Sequence, residues 1–230
     1  MKLISICIPT YEMLGRGSEF LNHSLQKIHD QTYKNIEVIV SDHANDDSIV
    51  SMCDSWSTKI KIIYVKEKNR GKSSTNINNA MSMATGTLVK ILFQDDFLYQ
   101  SDALEKILQT HEKQNKMWYA TACIHTNDGA NFYRTHFPRY HDQIHLGVNT
   151  IGAPSVITYV NVPDFVHFDD NLVWLMDCDY YKKMNMRFGP PGIINEQCVA
   201  IRSWGSNFGN LISQDIKSAE LKYNTKKYQC

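Results

Sequence analysis

Leu88-Val89-Lys90-Ile91-Leu92-Phe93-Gln94-Asp95-Asp96 is an apolar run that ends in two adjacent carboxylates. A run of this length reads as a buried strand, and in open α/β sheets ligands collect at the carboxyl ends of strands. Paired carboxylates at such a strand end suit a hard divalent cation, which prefers oxygen ligands and can carry diphosphate oxygens on its open positions. Taken alone, an Asp-Asp pair is more often a helix cap or turn. The neighbouring segments decide between these readings.

Upstream, strands and helices alternate. Leu3 to Ile8 is a β-branched strand stopped by Pro9. Ser18 to Gln31 spaces Phe20, Leu21, Leu25 and Ile28 as an amphipathic helix. Ile36 to Val40 is a second strand ending in the polar turn Ser41 to Asp47, and Ser48 to Trp56 a short helix. Ile60 to Val65 is a third strand, and Ser73 to Ala84 a helix with Gly86 just beyond it. Downstream of the carboxylates, Ser101 to Gln114 is helical. Continuous apolar strands separated by helices imply an α/β fold with a mostly parallel, Rossmann-like central sheet flanked by helices.

The second half is less regular. Trp118 to Ile124 and Ser155 to Val160 read as strands, His125 to Asn149 as a polar excursion, and Leu172 to Met184 as a helix with a polar break at Asp177. Gly189-Pro190-Pro191-Gly192 is a turn. Asn210 to Cys230 reads as an amphipathic helix, with Leu211, Ile212, Ile216 and Leu221 apolar, docking on the domain. With no repeat and no low-complexity linker, residues 1–230 are expected to form a single domain. Its nucleotide-binding half covers about 1–98, its acceptor-binding half about 99–205, and its helical tail 206–230.

Composition excludes several classes. Lys plus Arg equals Asp plus Glu, so no global basic field points to nucleic acid. Apolar residues at 43% and charged residues at 21% are ordinary for a soluble chain, and no stretch is long enough to span a bilayer. Six scattered cysteines without a C-x-x-C pair, and no signal peptide, predict a cytoplasmic protein, with peripheral contact at the inner membrane face left open. Cys7 and Cys123 are expected to be buried.

Five segments in order carry a resemblance. They are Ser5-Ile6-Cys7-Ile8-Pro9-Thr10-Tyr11; Ile36 to Ser48, with Ser41-Asp42-His43-Ala44-Asn45-Asp46-Asp47 at its end; Asn69-Arg70-Gly71-Lys72 with Asn78 and Ala84-Thr85-Gly86; Phe93-Gln94-Asp95-Asp96; and Trp174-Leu175-Met176-Asp177-Cys178-Asp179. Together they resemble family 2 glycosyltransferases of the GT-A fold over about residues 3–205. The resemblance implies an inverting, metal-dependent glycosyltransferase of hexosyl or N-acetylhexosaminyl type. It would move a sugar from a nucleotide-sugar donor, a UDP-sugar first, to a hydroxyl on a glycan or glycolipid acceptor in surface polysaccharide biosynthesis.

The resemblance also implies roles. Asp42 would hold the N3 edge of a uracil ring, with Pro9 and Tyr11 lining the base pocket; an Asx-turn is the structural alternative for Asp42. Arg70 would pair with the pyrophosphate, or else form a surface ion pair. Asp95 would approach the ribose and Asp96 the metal-bound diphosphate, the two together forming the site for Mn²⁺ or Mg²⁺. Asp177 would be the catalytic base, with Asp179 its alternate; Asp177 could also cap its helix. Gly152, Ser155 and Trp204 are assigned to the acceptor or sugar pocket, although a plain Gly-Pro turn accounts for the first two equally well.

Two departures accompany the likeness. Phe93 stands where the D-x-D-D pattern has its first Asp, and Ile201-Arg202-Ser203-Trp204 stands where many relatives carry Arg-x-His. The aromatic and His-rich stretch Phe132 to His145 is a candidate sugar-stacking lid. Rival readings are a nucleotidyltransferase, echoed by Gly15-Arg16-Gly17, and an inactive carbohydrate- or nucleotide-binding protein.

Overall fold

The computed structural model describes residues 2–67, 71–203 and 212–229. Its centre is β1 (Ile4–Thr10), paired in parallel with β2 (Ile36–Asp42) on one side and β4 (Leu88–Ile91) on the other. The third strand, β3 (Ile62–Lys66), extends the sheet beyond β2. Ile4, Ile6, Cys7 and Ile8 are wholly buried, as a strand covered on both faces requires. The covering helices are α1 (Gly17–His29), α2 (Ser48–Trp56) and α3 (Ser73–Ser82). α2 has the bounds read from the sequence.

The chain runs outward from β1 through β2 to β3, then returns to β1's other edge as β4. That reversal places a switch point between the carboxyl ends of β1 and β4, where doubly wound sheets bind ligands. Beyond β4 the sheet turns mixed. β8 (Ile157–Val160) lies antiparallel to β4 and to β6 (Trp118–Thr126). β9 (Gly192–Arg202) runs parallel to β6, β5 (Phe97–Leu98) closes on β9, and β7 (Phe132–His136) hangs on β6. The remaining helices are α4 (Ala103–Gln114), α5 (Met176–Phe188) and α6 (Gln214–Tyr228).

Several sequence expectations are corrected here. β1 continues through Pro9, because the β4 ladder has ended at Cys7 and no N–H is required of residue 9 on that side. The polar excursion contains β7. The segment after the Gly-Pro turn is the eleven-residue β9, whose Asn195 and Glu196 are exposed and interrupt its apolar pattern. α6 does dock on the domain, through polar as well as apolar side chains: Leu221 packs partly buried against the core and Glu220 and Asn224 are buried, while Ile216 is exposed. Five cysteines, including Cys7 and Cys123, are free and buried.

Gly86 shows why the turn into β4 needs glycine. A Cβ there would lie 2.7 Å from the Leu3 carbonyl oxygen and the Ser5 Oγ, and 2.8 Å from the Ser5 nitrogen. Two of these are backbone atoms of β1 and its lead-in, so they yield little. Gly86→Ala should therefore cost about 1–3 kcal/mol in urea unfolding, an overpacking penalty. An unchanged midpoint would show that the start of β1 shifts freely.

Candidate active site

One cleft of about 650 Å³ opens over the switch point, and its wall includes Tyr11, Glu12, Lys72, Asn76, Asp95, Trp174 and Asp177. Its first side is built by β1 and β4. After Ile91 the chain leaves the ladder: the Leu92 N–H still donates to the Cys7 carbonyl, but the Phe93 N–H donates to Ser155 Oγ. A turn closed by Asp96 N–H to the Phe93 carbonyl then separates the two carboxylates.

Their fates differ. Asp95 is partly buried and lines the cleft. Asp96 is buried and accepts from Ser155 Oγ at 2.5 Å and from the Arg202 N–H at 2.9 Å. Burial first, and the Asp95 charge second, raise its pKa well above the usual carboxylate range. Both its oxygens are engaged inside the sheet, and of the two carboxylates expected to hold the diphosphate metal only Asp95 lines the cleft. Ser155, assigned to a sugar hydroxyl, is likewise fully buried and spent on Asp96 and Phe93.

Lys90 lies beneath this pair, also fully buried, with its ammonium donating to the Ser155 carbonyl. Burial pushes it down to about 7. Arg202 closes the arrangement from behind, its Nε donating to the Asp95 carbonyl and its guanidinium lying 4.9 Å from the Phe20 ring centroid. Gln94 stitches the two strand ends together. Its Oε1 accepts from the Tyr11 N–H at 2.9 Å and its Nε2 donates to the Gly17 carbonyl at 2.6 Å. A Cβ on Gly17 would come within 2.2 Å of the Tyr11 carbonyl oxygen. That glycine serves helix–loop packing, which removes one support for the nucleotidyltransferase echo.

The expected base pocket is rearranged as well. Tyr11 reaches the cleft and is 44% exposed, whereas Pro9 is buried within β1. Asp42 is fully buried: its Oδ1 accepts from the Ala44 N–H at 2.7 Å, and its Oδ2 from Tyr64 OH and Lys66 Nζ, both at 2.8 Å. Asp42 forms the Asx-turn, and its neighbours His43 and Asn45 line the cleft. Arg70 and Trp204 lie outside the described residues.

Across the switch point, the start of α5 supplies Asp177. It is partly buried, accepts from the Cys178 N–H at 2.7 Å and from Asn149 Nδ2 at 2.7 Å, and is pushed by burial up to about 6. Asp179 does not join it. Fully buried on the other side of α5, it meets Lys183 at 3.0 Å, Lys227 at 2.6 Å and Tyr228 OH at 2.7 Å. Gly152 lies behind the wall, in a left-handed conformation (φ +114°) with its carbonyl accepting from Tyr181 OH. Asn149 reaches Asp177 and Gly152 at once, with Oδ1 accepting from the N–H groups of Ile151 and Gly152. None of the lid candidates from Phe132 to His145 lines the cleft.

Comparisons with known proteins give the family and the fold. The sequence matches the family described as "Glycosyl transferase family 2" over residues 5–159, more than half of the chain. The chain belongs to glycosyl transferase family 2. Among its relatives, glycosyltransferase GlyG of Streptococcus pneumoniae serotype 4 is 24% identical over 135 residues, 57% of this chain and 43% of GlyG. Abequosyltransferase RfbV of Salmonella typhimurium is 35% identical over 113 residues, 47% of this chain and 32% of RfbV. The chain thus spans less than half the length of either relative.

Solved structures share its fold. TarS of S. aureus, crystallised with UDP, superposes with a TM-score of 0.70 at 14% identity, covering 99% of this chain and 72% of that one. The mannosyltransferase PcManGT of Pyrobaculum calidifontis, in complex with GDP-Man and Mn²⁺, gives a TM-score of 0.70 at 16% identity, covering 97% of this chain and 63% of that one. The family match runs from β1 to β8, and the likeness in fold covers nearly the whole chain.

Sequence reading missed Gln94, Asn76, Lys72 and Asn149 as members of the site. Lys72 and Asn76 sit at the start of α3, the first exposed and the second buried with Nδ2 donating to the Thr10 carbonyl at 2.9 Å. Their segment was quoted for its likeness, but spacing alone carries no signal for which face of α3 meets the cleft.

Asp177 also sets a sign for stability. Its folded-state value lies above the 3.8 of an unfolded Asp, so folding favours the protonated form. Its contribution is therefore present below pH 3.8 and lost as pH rises through about 6. Asp177→Asn should stabilise the protein by about 1–3 kcal/mol at pH 7.5, with the gain vanishing near pH 3.5, read as unfolding midpoints across that range. A gain that does not depend on pH would remove burial as the cause.

Proposed function

We propose that this chain carries the active site of an inverting glycosyltransferase that transfers a sugar from a nucleotide-sugar donor, a UDP-sugar first, to a hydroxyl of a glycan or glycolipid acceptor. The observation that carries the reading is the sharing of one cleft by Asp95, at the switch point, and Asp177, a carboxylate raised to about 6. A base of that strength is ionised at neutral pH yet far more basic than an ordinary carboxylate. Asp177 takes the proton of the acceptor hydroxyl, whose oxygen forms a bond to the sugar C1 while the C1–O bond to the diphosphate breaks on the opposite face. The electron pair of that bond leaves with the nucleoside diphosphate.

Asp95 fits a donor-borne divalent cation. It is a hard oxygen ligand, its neighbour Asp96 is engaged in the sheet, and the described residues contain no group of three or more His, Cys, Asp or Glu able to cage an ion. Mg²⁺ and Mn²⁺ need only one or two protein carboxylates where substrate phosphates fill the remaining positions. Such an ion, held by Asp95, supplies neutralising charge to the diphosphate leaving group. Lys72 and the amino-terminal end of α3 add positive potential to the same cleft wall.

The related S. aureus TarS structures hold UDP or UDP-GlcNAc, and the Pyrobaculum enzyme GDP-Man, which keeps the base open to test. The proposed role in surface glycan assembly rests on relatives such as the abequosyltransferase of Salmonella typhimurium. No helix among the described residues is long and apolar enough to cross a membrane. Contact with a membrane-borne acceptor would therefore have to be peripheral for this part of the chain.

Calorimetric titration with UDP, GDP, CDP and dTDP, each with and without Mn²⁺, tests the donor class. Manganese-dependent UDP binding that falls at least tenfold in Asp95→Asn, but stays within about twofold in Asp177→Asn, is expected. In donor turnover, Asp177→Asn should lower kcat by about 10²–10⁴. Nucleotide binding without any turnover of a panel of donors by the wild type would favour the inactive binding protein.

A further inference from the structure

We propose that Glu220, on the carboxyl-terminal helix α6, is a positioning residue of the active cleft. Its buried carboxylate holds the peptide groups of Val173, Trp174 and Leu175, and through them sets Asp177 against the cleft. The role in positioning a base rests on the glycosyltransferase reading; the holding itself does not.

The distances carry the inference. Glu220 is 6% exposed, and its Oε1 accepts from the Val173 N–H at 2.8 Å. Its Oε2 accepts from the N–H groups of Trp174 at 3.0 Å and Leu175 at 2.8 Å. These three donors immediately precede Met176, the first residue of α5, whose N-cap Leu175 offers no side-chain cap of its own. A helix start leaves unsatisfied N–H groups and a partial positive charge, and a carboxylate answers both. Here the carboxylate arrives from a helix some 45 residues later in the chain.

What Glu220 holds is the cleft wall. Val173, Trp174, Met176 and Asp177 all line the cleft. Two other anchors of α6 lie elsewhere: Asn224 Nδ2 donates to the His145 carbonyl at 3.0 Å, and Lys227 spans Asp169 and Asp179 at 2.6 Å each. Lys217 reaches the same segment, but only the Trp174 ring, with its ammonium 5.7 Å from the centroid; Glu220 is what holds the peptide groups. A carboxylate has lone pairs for three donors, whereas a carboxamide in its place turns an N–H₂ toward at least one of them. Charge-assisted bonds of this kind are about twice as strong as neutral ones, so the wall loosens when the charge is removed.

Glu220→Gln is the test, read by amide hydrogen exchange and by donor turnover with a small hydroxyl acceptor. Exchange at residues 173–175 should rise at least about tenfold. kcat should fall about tenfold or more with the donor KM within about threefold, and the acid limb of the kcat–pH profile should move, as expected when a base is misplaced. Asn224→Ala, which loosens α6 at another point, should leave that limb in place. Unchanged exchange at 173–175 in folded Glu220→Gln overturns the proposal, as does an Asn224→Ala variant that reproduces the whole effect. Should Glu220→Gln fail to fold, Glu220→Asp, with its shortened reach, is expected to show the same pattern at smaller amplitude, and wild-type exchange there overturns it. A wild type without transferase activity, in which Glu220→Gln still unprotects 173–175, supports the holding role and sinks only the transferase reading.

Discussion

The Asp96 carboxylate ties together the turn after β4, the lead-in to β8 and the end of β9, through Ser155 Oγ and the Arg202 N–H. The rest of the site depends on that knot. A carboxylate placed inside a sheet is costly unless its lone pairs are met, and here both oxygens are met. Lys90 is buried under it, and burial moves the two groups toward neutrality from opposite sides. With Asp96 held inward, the backbone of a two-residue turn leaves Asp95 facing the cleft. Removing either hydrogen-bond donor would strand a buried acceptor, so the turn has little freedom to exchange the roles of the two residues.

The same division recurs around the cleft. Asp42, Asp96, Asp179 and Glu220 are buried and fully committed to partners within the protein, while Asp95 and Asp177 line the cleft. Within each sequence pair, Asp95-Asp96 and Asp177-Asp179, one member works inward and the other outward. For the α5 pair this follows from helical geometry, because residues two apart project in different directions. Asp179 therefore meets Lys183 one turn along and Lys227 of α6, while Asp177 turns to Asn149.

Legibility in the sequence tracks local periodicity. β1 to β4 and α1 to α3 were readable because parallel, doubly covered strands are apolar throughout and their helices carry a clear stripe. β9 was not, since Asn195-Glu196-Gln197 breaks its pattern where the ladder to β6 shifts register. The polar part of α6's seat was hidden for a related reason: Glu220, Asn224 and Lys227 look like a solvated face, and only their distant partners draw them inward. For the site, motif likeness located the switch point and the α5 start. Which oxygen atoms were already engaged depended on Tyr64, Lys66, Ser155 and Arg202, contacts that no spacing rule encodes.

The two walls of the cleft are consequently held by different physics. The wall from β1 and β4 is continuous with a parallel sheet whose strand cores are wholly buried, so its groups move only if the sheet does. The opposite wall, Ala153-Pro154 and the segment from Val173 into the first residues of α5, is short loop backbone and a helix start, fastened by a few polar side chains: Asn149 on one flank and Glu220 on the other. Segments held by few hydrogen bonds open locally at lower free energy than sheet cores. A site arranged this way keeps its Asp95 side constant while the Asp177 side tolerates change in loop sequence, provided that Asn149 and Glu220 still deliver Asp177 to the cleft.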